Sequence, residues 1–361
     1  MFVKGIDISL LKRIVDAGGV YKEFGQARNA LEIFAGHGIN YVRLRLFHEP
    51  DKKGAQVNDL SYTLELAKQI KAYGFSFLLN MHYSDTWADP GKQITPAAWR
   101  NLSFEELCEK VYDYTNKTVS AFRSNNCQPD MVQIGNEVTP GMLWEYGRVA
   151  GDRDTSKLRW IQETGKMDLA KSRWQRFAKL LNSAIRGATE ASDSVAIKTI
   201  IHIDRGGDTE SCKWFFDNLF SQKVDFDSIG LSYYPFWHGP IENLKENLVF
   251  LSKEYKKNIY IVETAFPYKS EQFYEEAIMS NYTNIGREFP YELSKDGQYS
   301  FLNDVFDAVK KCSCGKGVFY WAPEWIEIKD YQDESDAQAC WARALFDDKG
   351  DVLPAIKAFD E

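Results

Sequence analysis

The chain runs to 361 residues, 44% hydrophobic and 14% aromatic, with a formal charge of −8 at pH 7. That length suits two ordinary domains or one large barrel. No apolar run approaches the ~20 residues that span a bilayer, and the acid excess argues against non-specific nucleic-acid binding and, more weakly, against an acidic polymer as substrate.

Taken in chain order, short β-rich runs alternate with longer amphipathic ones. The predicted strands are "VKGIDI" (3–8), "YVRLRL" (41–46), "FSFLLNMH" (75–82), "MVQIG" (131–135), "VAIKTIIHI" (195–203), "SIGLSYY" (228–234), "IYIVE" (259–263) and "GVFYW" (317–321). Most are near-continuous apolar runs, as parallel strands covered on both faces require. Helical periodicity fills the gaps at 27–36, 59–73, 104–124, 168–190, 210–221, 241–256, 298–311 and 338–346. Between 60 and 74, Leu60, Leu64, Ala67 and Ile70 fall on one face, and Gly74 suits the helix end. Eight βα units without a linker, repeat or composition shift predict a single-domain (β/α)8 (TIM) barrel over 1–361, α/β in class. The competing doubly wound sheet would carry GxGxxG after its first strand in a dinucleotide-binding version, and "GIDISLLKRIVDAG" has none.

A barrel of this kind places function at the C-terminal ends of its strands. Those ends hold Asp7, Arg43 with Arg45, His82 with Asp85, Asn136-Glu137, His202 with Asp204, Tyr233-Tyr234, Glu263 and Trp321. A carboxylate ending a buried strand is costly unless something uses it, and this happens twice, in "DMVQIGNEVTP" and "NIYIVETAFP". Two carboxylates facing one barrel mouth fit glycoside hydrolysis, one protonating the leaving oxygen while the other attacks the anomeric carbon or activates water. Asn136 can hydrogen-bond a sugar 2-hydroxyl. Arg43 or Arg45 can pair with Glu263 and keep it ionised while Glu137 stays protonated; the plainer account of both arginines is structural ion pairing. The 10 Trp and 19 Tyr suit stacking on sugar rings or, more simply, a large aromatic core.

Metal chemistry finds less support. The five histidines are scattered without HExxH, and His202-Ile203-Asp204 offers two ligands without an evident third. The six cysteines show no CxxC spacing, so a zinc knuckle is not expected and disulfides stay undecided.

"HYSDTWADPGKQ" (82–93), "VQIGNEVTPGMLWEYG" (132–147), "SIGLSYYPFWHG" (228–239) and "IVETAFP" (261–267) resemble glycoside hydrolase family 53, the endo-β-1,4-galactanases that cut galactan side chains of pectin. The resemblance extends to "GIDISLL", "NYVRLRLF" and "GVFYWAPEW", so it covers essentially the whole chain. It implies a retaining double displacement with Glu137 as acid/base and Glu263 as nucleophile. It further implies that Arg45, His82, Asn136 and Tyr234 line the subsite beside the bond cut, with Trp87, Trp237 and Trp321 as stacking faces and floor. Asp85, His202 and Asp204 are added as substrate-binding candidates from the strand ends.

The chain departs from the family pattern at Asn80, where Asp is expected, and at Ala322, where Glu usually follows the Trp. Some bacterial relatives bind calcium after the nucleophile strand, but "AFPYKSEQFYEEAIMSN" lacks clustered Asp-x-Asp ligands. No cofactor or catalytic metal is therefore expected, and structural calcium is without support. The expected partner is β-1,4-galactan, bound by a monomer. An exo-acting relative, one acting on another β-1,4 polymer, and a non-catalytic carbohydrate-binding barrel are the alternatives. The start, "MFVKGIDISL", has no signal-peptide pattern, whereas pectin implies an extracellular, cell-surface or periplasmic setting, so a trimmed targeting segment is expected.

Overall fold

A computed structural model describes residues 1–150, 167–192, 195–327 and 340–360. Eight parallel strands close on themselves: β1 Val3–Asp7, β2 Tyr41–Leu46, β3 Ser76–Met81, β4 Met131–Ile134, β5 Lys198–Ile203, β6 Ser228–Ser232, β7 Asn258–Thr264 and β8 Gly315–Trp321, with β8 returning to β1. Each predicted strand is present, with its end shifted by up to three residues. Helices lie between them, and several are started by side-chain caps. Asp59 accepts from the Tyr62 N–H and Ser294 from the Gly297 N–H, and Ser103 with Glu106 forms a reciprocal capping box.

Two predicted helical details differ. The helix Leu60–Ala72 buries Thr63, Leu66, Ala67 and Ile70, whereas Leu60 is 36% exposed. Packing against β2 and β3 therefore uses a face rotated from the predicted one, because Thr63 donates to the Arg45 carbonyl and is drawn inward. The start of the predicted helix 338–346 lies outside the described residues, and Ala342-Arg343 form a turn rather than helix. The long connection after β7 holds the helix Gln272–Asn281.

Alternation along the strands sorts the barrel interior into layers. At the bottom, Val3, Leu78, Met131, Ile200, Val262 and Phe319 form an apolar cluster separate from the larger core between sheet and helices. Gly5 makes room for it, because a Cβ there would come within 2.3 Å of the Phe319 ring. Two residues further along the same faces come Arg43, Asn80, Gln133, His202 and Trp321. The polar layer thus follows from the apolar one by the two-residue period.

β7 breaks that period. Leu231 pairs with Ile261 but Ser232 pairs with Glu263, and on the other side Val318 pairs with Ile261 but Tyr320 with Thr264. One extra residue in β7 lets Val262 fill the interior while its neighbour Glu263 also turns inward, as a β-bulge does beside a site.

Phe319→Ala removes the largest side chain of the bottom cluster and should lower unfolding free energy by about 3–5 kcal/mol, measured by chemical denaturation. A loss below about 1 kcal/mol would contradict a close-packed interior.

Candidate active site

Above the apolar layer sits a buried cation, Arg43. Arg43, 1% exposed, donates from Nη1 to Asp7 Oδ2 at 2.6 Å and from Nη2 to Glu263 Oε1 at 2.6 Å. Nη2 also reaches Asn136 Oδ1 at 2.9 Å, and Nε reaches Gln133 Oε1 at 3.1 Å. A guanidinium has only donors in a fixed fork, so it sets the orientation of four neighbours at once. Asp7 is held in turn by the backbone N–H and hydroxyl of Ser9.

Glu263 accepts a second bond from the Tyr234 hydroxyl at 3.3 Å. Burial pushes its carboxyl above the usual range, while the Arg43 charge and the Arg43 and Tyr234 hydrogen bonds oppose the shift. Among the described residues no cation is set against Glu137. It stands three residues beyond β4, in a turn where Gly135 has φ +77° and Glu137 itself φ +47°. A Cβ at Gly135 would meet Val138 Cγ1 at 2.4 Å, so both the conformation and the contact call for glycine there. The Ser232 hydroxyl donates to Glu137 Oε1 at 2.6 Å. Burial first, then the charges of Glu263 and Asp204, push the Glu137 carboxyl well above the ordinary glutamate range. Of the two, Glu137 keeps its proton as the pH rises, and Glu263 loses its own first.

Both carboxylates line a single cavity of about 570 Å³, within the usual size of ligand sites. The cavity also gathers Arg45, His82, Trp87, Asn136, Asp204, Tyr234, Trp237 and Trp321 from the residues expected from sequence. The two arginines divide the work. Arg45 is tied to Asn58 and the Ala55 carbonyl and stacks on Trp87, Cζ to ring centroid 4.4 Å, leaving Glu263 to Arg43. His82 accepts at Nδ1 from the Ala88 N–H, and burial lowers its pKa well below the usual value, so it is neutral. Asn80 holds the position beneath it, between Gln133 Nε2 and Asn136 Oδ1.

Asp85 and His202, both expected to bind substrate, are not on the cavity wall. Asp85 is turned away to His48 and to the backbone N–H groups of Glu49 and Ala97. His202 is fully buried beneath Glu137, between Gln133 and Ser232.

Sequence reasoning left out Gln133 and Ser232, whose signal was a polar residue inside or ending an apolar strand. It also left out Phe273, which meets Trp237 edge-on at 5.9 Å, and Arg343, whose Cζ lies 5.1 Å from the Trp321 ring. Glu324, two residues past the departure at Ala322, is buried away from the cavity. It accepts from the Leu10 N–H, and burial raises its pKa to about 8. Among the described residues no three His, Cys, Asp or Glu side chains converge as a metal set would, and the chain after β7 runs through a loop into the helix Gln272–Asn281. Nor, among them, is any helix long and apolar enough to cross a membrane.

A (β/α)8 barrel whose mouth pairs a cation-held carboxylate with a hydroxyl-held one, between indole faces, has the arrangement of a glycoside hydrolase. The chain belongs to glycosyl hydrolase family 53, whose profile matches residues 3–359. It is 34% identical over 331 residues to arabinogalactan endo-β-1,4-galactanase A of Emericella nidulans, covering 90% of this chain and 85% of that protein. Among solved structures, the GH53 catalytic domain of Ignisphaera aggregans superposes with a TM-score of 0.84 at 31% identity, covering 99% of this chain and 95% of that one. A fungal β-1,4-galactanase structure gives 0.81 at 30% identity, covering 99% and 98%.

Arg43→Ala leaves Asp7 and Glu263 buried without their cation and should cost about 3–5 kcal/mol of stability at neutral pH. Glu263, already pushed upward by burial, would rise further. The deficit is therefore full above its folded-state pKa and is relieved as pH falls toward the ordinary glutamate value. Denaturation curves at pH 7 and pH 4.5 check this, and an equal deficit at both would contradict it.

Proposed function

We propose that the protein is an endo-β-1,4-galactanase that cuts the galactan of type I arabinogalactan side chains in pectin by a retaining double displacement. The observation that carries the reading is the unequal pair in one cavity, Glu263 against the Arg43 cation and Glu137 against a hydroxyl and other acids. Family membership and the galactanase relatives support the substrate class.

In the first step a Glu263 oxygen attacks the anomeric carbon while the Glu137 proton passes to the departing glycosidic oxygen. This leaves a glycosyl ester on Glu263 and a carboxylate at Glu137. In the second step water attacks the same carbon, Glu137 takes its proton, and the ester bond breaks to release Glu263. Asn136, held by Arg43 through its Oδ1, is the residue for the 2-hydroxyl. Trp87, Trp321 and the 41% exposed Trp237 provide apolar faces for successive sugars, with His82, Arg45, Asp204 and Tyr234 bordering the cut bond. One chain carries both acids, so a monomer suffices, and the chemistry needs no cofactor. A polymer too large to enter cells whole places the enzyme outside the cytoplasm, in an extracellular, cell-surface or periplasmic setting.

The activity should rise with pH as Glu263 ionises and fall as Glu137 ionises, giving a bell whose alkaline limb belongs to Glu137. Glu137→Gln should lower turnover of β-1,4-galactan by about 10²–10⁴-fold and abolish that limb, while polymer binding is retained. Wild-type-like turnover would sink the assignment. A timed product profile should show an early ladder of galacto-oligosaccharides, and proton NMR of the first products should show the β-anomer. An initial α-anomer would replace retention by inversion. A single small product from the first minutes would make the cleft exo-acting.

A further inference from the structure

The hydrogen bonds beneath Glu137 run in one direction only, and the groups that fix the direction cannot reverse. Arg43 Nε can only donate, so the Gln133 atom it meets is the carbonyl oxygen and the opposite atom is the amide nitrogen. That nitrogen, whose two hydrogens are shared among Asn80 Oδ1, the Gly135 carbonyl and His202 Nδ1 at 2.9 Å, cannot accept, so Nδ1 has no proton to direct at it. The backbone N–H of Glu137, again only a donor, meets the same His202 Nδ1 at 3.3 Å. His202 Nδ1 is thus an acceptor, which places the single imidazole proton on Nε2. The ring is neutral because burial, Arg43 and His82 all disfavour its charged form. Nε2 lies 2.8 Å from Ser232 Oγ, so the hydroxyl accepts there and must turn its own hydrogen to Glu137 Oε1, at 2.6 Å.

We propose that His202 and Ser232 are positioning residues for the acid, a one-way relay from Arg43 through Gln133 that keeps Glu137 Oε1 an acceptor throughout the cycle. The transferable proton is thereby confined to Oε2. This rests on Glu137 being the acid/base and adds which of its oxygens does the work. With Oε1 occupied from below, the proton cannot be parked on the oxygen turned into the protein, and each protonation event begins from the oxygen left for the cleft. The same donation stabilises the carboxylate left after the first step, when Glu137 must act as base. Among the described residues, the charged or titratable groups facing Glu137 are Glu263 from β7, Asp204 following β5, Asp89 in the loop after β3 and Tyr234 after β6; those facing His202 are Arg43 from β2 and His82 after β3. None of them lies between Ser232 and Oε1.

The test compares Ser232→Ala, Ser232→Thr and Glu137→Gln on phenyl and 2,4-dinitrophenyl β-1,4-galactobiosides, reading kcat/KM and its pH profile. Dinitrophenolate leaves without a proton, so a defect in acid placement affects the phenyl substrate selectively, whereas general structural damage slows both. Ser232→Ala should lose roughly tenfold or more on the phenyl substrate, a fraction of the 10²–10⁴ that a general acid supplies, and stay within about threefold on the dinitrophenyl one. Its alkaline limb should move to higher pH, because a bond favouring the carboxylate is gone. Ser232→Thr keeps the hydroxyl and should restore both readouts. Equal losses on the two substrates, or an alkaline limb that does not move, would overturn the relay. Glu137→Gln separates the two levels. If it leaves the phenyl rate intact, the acid assignment itself fails; if it alone shows the leaving-group split, only the relay fails.

Discussion

The guanidinium of Arg43, buried in the barrel, organises the mouth above it. Arg43 satisfies Asp7 and Glu263 by direct ion pairs and orients Asn136 and Gln133 by hydrogen bonds. Burying such a group is costly unless every partner is in place, and the partners of this β2 residue come from β1, β4, the turn after β4, and β7. The charge at the centre thus ties the barrel's closure to the site: strands that failed to meet would leave a carboxylate or the cation unpaired. Glu263, facing that cation, is the carboxylate fit to be ionised, and Glu137, facing other acids, is the one fit to keep a proton.

The layers below make this arrangement possible at low strain. Apolar side chains pack the bottom, and the two-residue period delivers polar ones directly above them. Glu263 alone would be mis-set by that period, since its neighbour Val262 already points inward. The bulge in β7 reconciles the two, so an irregularity of the sheet is what brings the second carboxylate into the cavity.

Much of this could be read from the chain. Near-continuous apolar runs ending in polar residues marked eight parallel strands, and Glu137 and Glu263 stood out as acids at strand ends. Other features are decided by contacts that no local pattern records. Arg43 and Arg45 share a face, so sequence could not say which would meet Glu263; Asn58 and Trp87 settle it by holding Arg45 elsewhere. Asp85 looked like a rim residue until the loop after β3 turned it to His48 and the Ala97 N–H. His202 sits at a strand end, but the turn through Gly135 carries Glu137 over it, so it supports the acid from beneath. The helix expected over 338–346 is helical at Cys340-Trp341 but does not continue past Trp341, because the periodicity beyond it reflects burial, which the turn at Ala342-Arg343 also achieves.

The two carboxylates are also unequal in how they are anchored. Glu263 lies within a strand laddered to β6 and β8, its carbonyl accepting from the Tyr233 N–H at 2.9 Å. Glu137 hangs on a left-handed turn past the end of its strand. Segments outside the ladder open at lower free energy than those within it. Under gentle heating or sub-denaturing urea the molecule should therefore lose its proton donor while its nucleophile is still in place. It would pass through a state able to be glycosylated by activated sugars but unable to cleave polysaccharide, an intermediate stage of inactivation written into the difference between a strand and a turn.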